Sequence, residues 1–380
     1  MTLAIRRLLE SRGRLDRAAV DAFLAGHSSP IVEGPTITFL FRGEADGVLL
    51  RHFVYGLPSS QPLRRLQGTD LWHLSLEVPT GSRFEYKLEV LRGGTRTLVQ
   101  DPLNPRTASD PFGSNSVCAG SGYEVPEWTR PDPDARPGAL EEIEVPAGPL
   151  GEGTRPVSVY LPARFRPARR HPLLVAFDGT DYLRYAGMKV VLDNLVGRNE
   201  VASLLVAFCP SQHRMKEYAA DPAHARWVVE DLLPALRDRW PVSEGPADLA
   251  LMGASLGAVA SLHAAWLHPG RFGRLLLQSG AFAFTDIGRE VRSPVLEPVV
   301  EFVNGFRAAP GRPSEKVFVS CGVYESLIYE NRSLVPLLQR TGMEVRFVEA
   351  RDGHNWENWR DRLREGLSWL FPGPLGLVYE

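Results

Sequence analysis

Cysteine is scarce in this chain, with three in 380 residues at Cys118, Cys209 and Cys321. They stand far apart, which excludes a CxxC redox motif and a cysteine-built zinc site. An odd number without a framework fits a reducing compartment. Long apolar runs are missing too: no stretch approaches the roughly 18 residues that would cross a membrane. The N-terminal MTLAIRRLLESRGRLDRAAVDAFL carries charge throughout and lacks a signal-peptide core. Together these features lead to the expectation of a cytoplasmic protein with no membrane partner. Nor is there an excess of charge of one sign. The formal net charge is -2, so nothing draws the whole chain toward nucleic acid. Internal repeats and low-complexity tracts are likewise lacking.

What is present is ordinary globular composition, 44% hydrophobic and 23% charged, in a chain long enough to bury a large core. Apolar positions at helical spacing (Leu3, Ile5, Leu8, Leu9, then Leu15, Ala18, Ala19, Phe23) predict two short helices within residues 1–32. From Ile37 the period becomes two. ITFLFRG, VLLRHFVY, LWHLSLEVP and RFEYKLEVLR read as strands, and their spacing predicts an all-β sandwich over 33–125. The Pro- and charge-rich stretch 126–138 reads as a stiff, exposed linker. Over 139–380 the pattern alternates. PLLVAFDG, ASLLVAFCP, DLALMGAS, RLLLQSGAF and KVFVSCG have the continuous apolar character of buried parallel strands. Amphipathic stretches such as HARWVVEDLLPALRDRW separate them, so a mostly parallel α/β sheet covered on both faces is expected.

DLALMG runs directly into Gly253-Ala254-Ser255-Leu256-Gly257, and a helical stretch follows. G-x-S-x-G alone is a weak signal, but strand–turn–helix is the context that gives it meaning. A serine on so sharp a turn needs flanking glycines to avoid clashes. The helix start then aims backbone N–H groups at developing negative charge. Ser255 is therefore the candidate nucleophile and Leu256 N–H one oxyanion donor. The second donor is expected from the loop after PLLVAFDG, at Gly179 or Thr180, although a simple Asp-Gly turn reads equally well from those residues.

In an α/β-hydrolase the triad runs Ser, acid, His along the chain. His354, in ARDGHNW after the strand-like VRFVEA and before a final helix, has the position of the base. His263 and His268, on the helix after the serine, read as ordinary hydrogen-bonded residues. For the acid, which must hold the second imidazole nitrogen, Glu325 follows KVFVSCG directly; Glu330 and Asp352 are rivals.

With these residues assembled, the chain resembles the enterochelin (iron–enterobactin) esterase family over nearly its whole length. The resemblance rests on VYLP (Val159 to Pro162), LLVAFDG, DNL (Asp193 to Leu195), Arg214-xx-Glu217 and EDLLP (Glu230 to Pro234). It extends through GASLGA, HPGRFG, LLQSGAF, GVYESLIYENRSL and DGHNWENWR, and in the N-terminal part through GTDLWHLSL and DPLNP. It implies an α/β-hydrolase preceded by an Ig/E-set-like sandwich, with Ser255 as nucleophile, Glu325 as acid and His354 as base. It also implies a cytoplasmic esterase that opens the serine trilactone of a ferric catecholate siderophore. Iron then arrives with the substrate, and no cofactor is expected. Three positions depart from the family pattern. Ala258 replaces a second glycine after the elbow, Thr-Asp-Tyr follows Asp178-Gly179 with Tyr182 as the nearby aromatic, and the acid is Glu where the wider superfamily often has Asp.

An anionic tricatecholate calls for cations in the pocket. Arg214, just after LLVAFCP, is the leading candidate, with Arg184 and Lys189 behind it. Tyr182 is the candidate aromatic contact. Two other functions are consistent with the sequence. One is a carbohydrate or feruloyl esterase whose sandwich binds glycans, with Trp72 and Trp128 as platforms, although both read more naturally as core or interface residues. The other is a non-catalytic binder on a hydrolase fold. The sequence leaves the oligomeric state open.

Overall fold

The computed structural model describes residues 3–10, 16–286 and 292–374. Contacts divide the chain into two compact units. The first comprises Met1–Val125, Val323–Glu325 and Arg351–His354, and the second Pro126–Gly322, Ser326–Ala350 and Asn355–Glu380.

The first unit opens with α1 (Ala4–Glu10) and α2 (Arg17–Ala25). Asp16 caps α2 by accepting the Ala19 N–H at 2.9 Å, which satisfies one of the donors a helix start leaves orphaned. Leu15, one of the positions read as helical, lies outside the described residues. Ten strands follow: β1 (Ile31–Glu33), β2 (Thr36–Arg42), β3 (Gly47–His52), β4 (Ser60–Pro62), β5 (Arg64–Arg65), β6 (Leu71–Glu77), β7 (Arg83–Arg92), β8 (Thr95–Val99), β9 (Thr107–Asp110) and β10 (Gly113–Ala119). The four runs read from the sequence are β2, β3, β6 and β7. The remaining strands are short or polar, and their pairing with neighbours forms them more than any apolar pattern of their own. One antiparallel sheet has the order β1-β2-β6-β5, the other β4-β3-β7-β10-β9 with β8 beside β7. Phe39 and Phe41 of β2, Trp72 of β6, Leu50 of β3 and Phe84, Tyr86 and Leu88 of β7 meet in one cluster, so both sheets turn a face to a common core. The DPLNP run explains itself inside that core. Asp101 accepts the hydroxyls of Tyr86 at 2.7 Å and Ser29 at 2.8 Å, and Asn104 donates to Tyr86 at 3.0 Å. A buried polar network of this kind is tolerated because its members satisfy one another.

In the second unit an eight-stranded sheet has the order β11 (Ala139–Pro146), β12 (Thr154–Leu161), β14 (Leu205–Cys209), β13 (Leu173–Phe177), β15 (Leu249–Ala254), β16 (Arg274–Gln278), β17 (Lys316–Gly322) and β18 (Glu344–Ala350). Every pairing from β14 to β18 is parallel, while β12 runs antiparallel to both its neighbours. Successive side chains leave opposite faces. Along β13, Leu173, Val175 and Phe177 join one core, and Leu174 and Ala176 join the other. The first core lies under α6 (Pro222–Trp227), α7 (Leu233–Arg239), α8 (Leu256–Leu267), α9 (Glu297–Ala308) and α10 (Ile328–Arg340). The second lies under α3 (Gly179–Arg184), α4 (Met188–Gly197) and α11 (Trp356–Leu370). The short α5 (Arg214–Glu217) follows β14.

The 126–138 stretch, expected as an exposed linker, clusters with the second unit. Asn194 of α4 donates to the carbonyls of Trp128 and Arg130 at 2.8 and 2.7 Å, and Arg198 binds Glu127 and Asp132. Its prolines remove backbone donors, but its carbonyls and carboxylates give α4 acceptors to hold.

Candidate active site

β15 ends at Ala254 and α8 begins at Leu256, leaving Ser255 alone on the turn with φ 58° and ψ -120°. That conformation is costly for a residue with a Cβ and persists only where its surroundings impose it. Here they do. The Ser255 N–H donates to the Gln278 carbonyl at 2.9 Å, and the Ser255 carbonyl accepts from Ala281 N at 3.2 Å. Gln278 is itself locked, receiving the Tyr182 hydroxyl at 2.7 Å and donating to the Trp359 carbonyl at 2.9 Å. Gly253 is required by space: a Cβ there would lie 2.4 Å from the carbonyl carbon of Gly257. From Leu249 to Ala265 every residue is buried except Ser255, which is partly exposed.

At the neighbouring strand end, β13 gives way to Asp178, which is left-handed at φ 55°. Gly179 then starts α3 and passes so close to β14 that a Cβ would meet Phe208 backbone at 2.3 Å. Asp178 Oδ2 approaches the start of α8, 3.5 Å from where a Cβ of Gly257 would stand. Among the described backbone hydrogen bonds, none uses the N–H of Leu256, Gly179 or Thr180. These first-turn donors are the type that stabilises an oxyanion.

In the first unit, His354 Nδ1 and Glu325 Oε2 are 2.5 Å apart. Glu325 is 5% exposed, whereas the His354 side chain is 37% exposed. An imidazole gripped at Nδ1 by a buried carboxylate keeps Nε2 for proton transfer. Of the rival acids, Asp352 is taken by Arg83, whose Nη1 lies 3.1 Å from Oδ1 and 3.3 Å from Oδ2. Glu330 sits in the first turn of α10. His354 thus faces Glu325, one of the three candidate acids.

Two expected substrate contacts need correction. Tyr182 is fully buried on the inner side of α3, edge-on to Trp356 and bonded to Gln278. Burial raises its phenol pKa well above the ordinary value, so it stays a donor to Gln278, whose carbonyl holds the Ser255 N–H. Arg214 is not a free cation. Its Nε and Nη2 bind Asp178 at 2.8–3.0 Å, its guanidinium lies over the Tyr218 ring, and Nη2 reaches the Ala254 carbonyl at 3.5 Å. Lys189 is paired with Asp193 at 2.7 Å. Arg184 is exposed, with its guanidinium 5.2 Å from the Tyr185 ring centre and no carboxylate partner among the described residues. Trp72 is core, donating to the Gly43 carbonyl, and Trp128 packs beneath Arg364. His263 is buried edge-on to Phe302; burial pushes its pKa down to about 4, and that of His268 is lowered for the same first reason.

Gln278, Asp178 and Arg83 were not singled out in the sequence. A lone glutamine ending the apolar run LLLQ was a usable signal, since a polar side chain in a buried strand needs partners. For Asp178 and Arg83 the partners are too distant in sequence to be read. Among the described residues no group of three or more His, Cys, Asp or Glu side chains could hold a metal ion, and no helix is long and apolar enough to cross a membrane.

Comparison with known proteins places this geometry in context. The family described as "Putative esterase" matches residues 150–370, more than half of the chain. An iron(III) enterobactin esterase of Escherichia coli is 25% identical over 340 residues, covering 81% of this chain and 82% of that protein. One from Dickeya dadantii is 24% identical over 352 residues, covering 82% and 80%. Among solved structures, the ferric enterobactin esterase of Salmonella typhimurium superposes with TM-score 0.73 at 20% identity, covering 88% of this chain and 93% of that one. An enterobactin esterase from Shigella flexneri gives 0.71 at 20%, covering 88% and 92%. At such identities the structural matches speak to the fold.

Proposed function

The chain belongs to the esterase family and is a carboxylic ester hydrolase, and from that premise we propose that it cleaves the ester bonds of a ferric catecholate siderophore of the enterobactin type. Ser255 is the nucleophile, His354 the base and Glu325 the acid. The observation that carries the reading is the elbow itself: one partly exposed serine on a strained strand-to-helix turn, two residues after a glycine that space demands. The course of the chain supports the rest. β15, β16, β17 and β18 are parallel neighbours, and Ser255, Glu325 and His354 each come within four residues of a strand's C-terminal end. Ligands and catalytic groups of open α/β sheets gather at that edge. The substrate class draws on relatives matched through both units of the chain, since the likeness covers 81% of it. We read 33–125 as an Ig/E-set-like sandwich and 139–380 as the hydrolase domain.

In this mechanism His354 takes the Ser255 proton as the hydroxyl attacks an ester carbonyl, and Glu325 stabilises the imidazolium. The N–H of Leu256 and that of Gly179 or Thr180 hold the oxyanion, each worth about 3 kcal/mol at the transition state. His354 then returns the proton to the leaving serine hydroxyl of the lactone. Water, activated by the same imidazole, releases the acyl-enzyme. Iron enters only as cargo of the substrate.

The test is mass spectrometry of products after incubation with ferric enterobactin. Wild type should release dihydroxybenzoyl-serine units, and Ser255→Ala should release none above background. Release by both proteins, or by neither while wild type still cleaves aryl esters, would remove the siderophore from the reading.

A further inference from the structure

The acid and the base both lie in short segments that follow hydrolase strands in sequence, yet both segments cluster with the N-terminal unit. The contacts that bind them there converge on the start of β7. Arg83 N donates to the Arg351 carbonyl at 2.8 Å, and its guanidinium holds both Asp352 oxygens. Asp352 in turn fixes the two segments to each other. Its Oδ1 accepts Gly353 N at 2.7 Å, and its carbonyl accepts Tyr324 N at 3.1 Å. Tyr324 immediately precedes Glu325; its carbonyl takes the Tyr55 N–H at 2.8 Å, and its hydroxyl meets Ser82 Oγ at 2.5 Å. Arg83 is 0% exposed. A charge so buried is costly unless its geometry is fixed by partners.

We infer that Arg83, a residue of the N-terminal unit, is a positioning residue for the esterase reaction, holding the Asp352–Tyr324 crosspiece from which His354 and Glu325 project in register. The inference rests on the assignment of those two residues as base and acid. Its physical content is that a main-chain and side-chain clamp on residues 351 to 353 and 324 fixes the Nδ1–Oε2 contact, whose alignment governs how well His354 accepts a proton. The N-terminal unit then takes part in turnover and is more than an appended binding module.

Steady-state kinetics on a neutral aryl ester test this, because they bypass the identity of the natural substrate. Arg83→Met should lower kcat about 100-fold with KM within threefold. Arg83→Lys, which keeps the charge, should recover part of the loss. The double variant Arg83→Met/Asp352→Leu removes the Arg83–Asp352 pair together, while Glu85, the other carboxylate beside Arg83, keeps its bond from Asn115, and this guards against misfolding; it should fold and still show the reduced kcat. Tyr86→Phe, which removes a buried hydrogen bond further along the same strand, should lower Tm and leave kcat and KM in place. Wild-type kcat in the folded double variant would overturn the inference, as would the same kinetic defect in Tyr86→Phe. Failure of the wild type to cleave the ester or react with a fluorophosphonate would instead sink the esterase mechanism.

Discussion

Arg214 and Asp178 show how a single pair changes what a residue can do. As a lone arginine after a strand of the sheet, Arg214 suits an anionic substrate. With Asp178 across from it, 36 positions away in sequence, the guanidinium is neutralised next to the elbow. Its role becomes that of holding the left-handed turn that leads into α3. Arg214→Ala therefore leaves a carboxylate that is 5% exposed without its partner, at a cost of about 1–3 kcal/mol in stability. The turn leading to Gly179 and Thr180, the proposed source of the second oxyanion donor, then loosens for every substrate alike. Ferric enterobactin and a neutral aryl ester, assayed side by side, should lose turnover by the same factor. A loss confined to the anionic substrate would return Arg214 to direct contact.

Among the elements, α3 divides the two expectations placed on it. Its helical turn sends Tyr182 inward to Gln278 and leaves Arg184 exposed over Tyr185. Arg184→Ala should raise KM for the tricatecholate several-fold and leave neutral ester kinetics unchanged, because a partly screened cation contributes about 1 kcal/mol to an anionic ligand. Equal KM values for wild type and variant on the siderophore would discard it. The same helix marks where sequence reading succeeds and stops. Strands β13 to β17 announce themselves by continuous apolar character, and the elbow by its glycines, because both are local demands of burial and backbone space. Which side of a six-residue helix faces the core is not local, so Tyr182 was misread. In β7 the alternation is legible, with Phe84, Tyr86, Leu88 and Val90 all inward. By that alternation Arg83 belongs on the outer face, where Asp352 and the Arg351 carbonyl, from the far end of the chain, take its guanidinium and its N–H. Strands such as β9 and β10 gave almost no signal, since hydrogen bonding to β7 and to each other forms them.

For the molecule as a whole, both units have to stay folded across the working pH range. The histidines set the acid edge of that range. Burial lowers the pKa of His52 and His73 in the first unit, and in the second it pushes His263 down to about 4 and, with help from Arg155, His224 down to about 3. Each stays neutral in the fold below the pH at which it protonates in the unfolded chain, about 6.5. The unfolded state thus binds more protons, and stability falls as the pH drops. The contribution is complete above pH 6.5. It declines through the window down to about 4 by up to ~1.4 kcal/mol per pH unit for each fully buried histidine. Urea denaturation midpoints should hold steady from pH 8 to 7 and drop steeply between 6.5 and 5, before most carboxylates titrate. His263→Leu, which replaces an imidazole packed on Phe302 with an apolar side chain, should reduce that slope by one proton's worth. A stability profile flat from pH 8 to 5, or a slope unchanged in His263→Leu, would show that these rings are protonated in the folded protein at little cost.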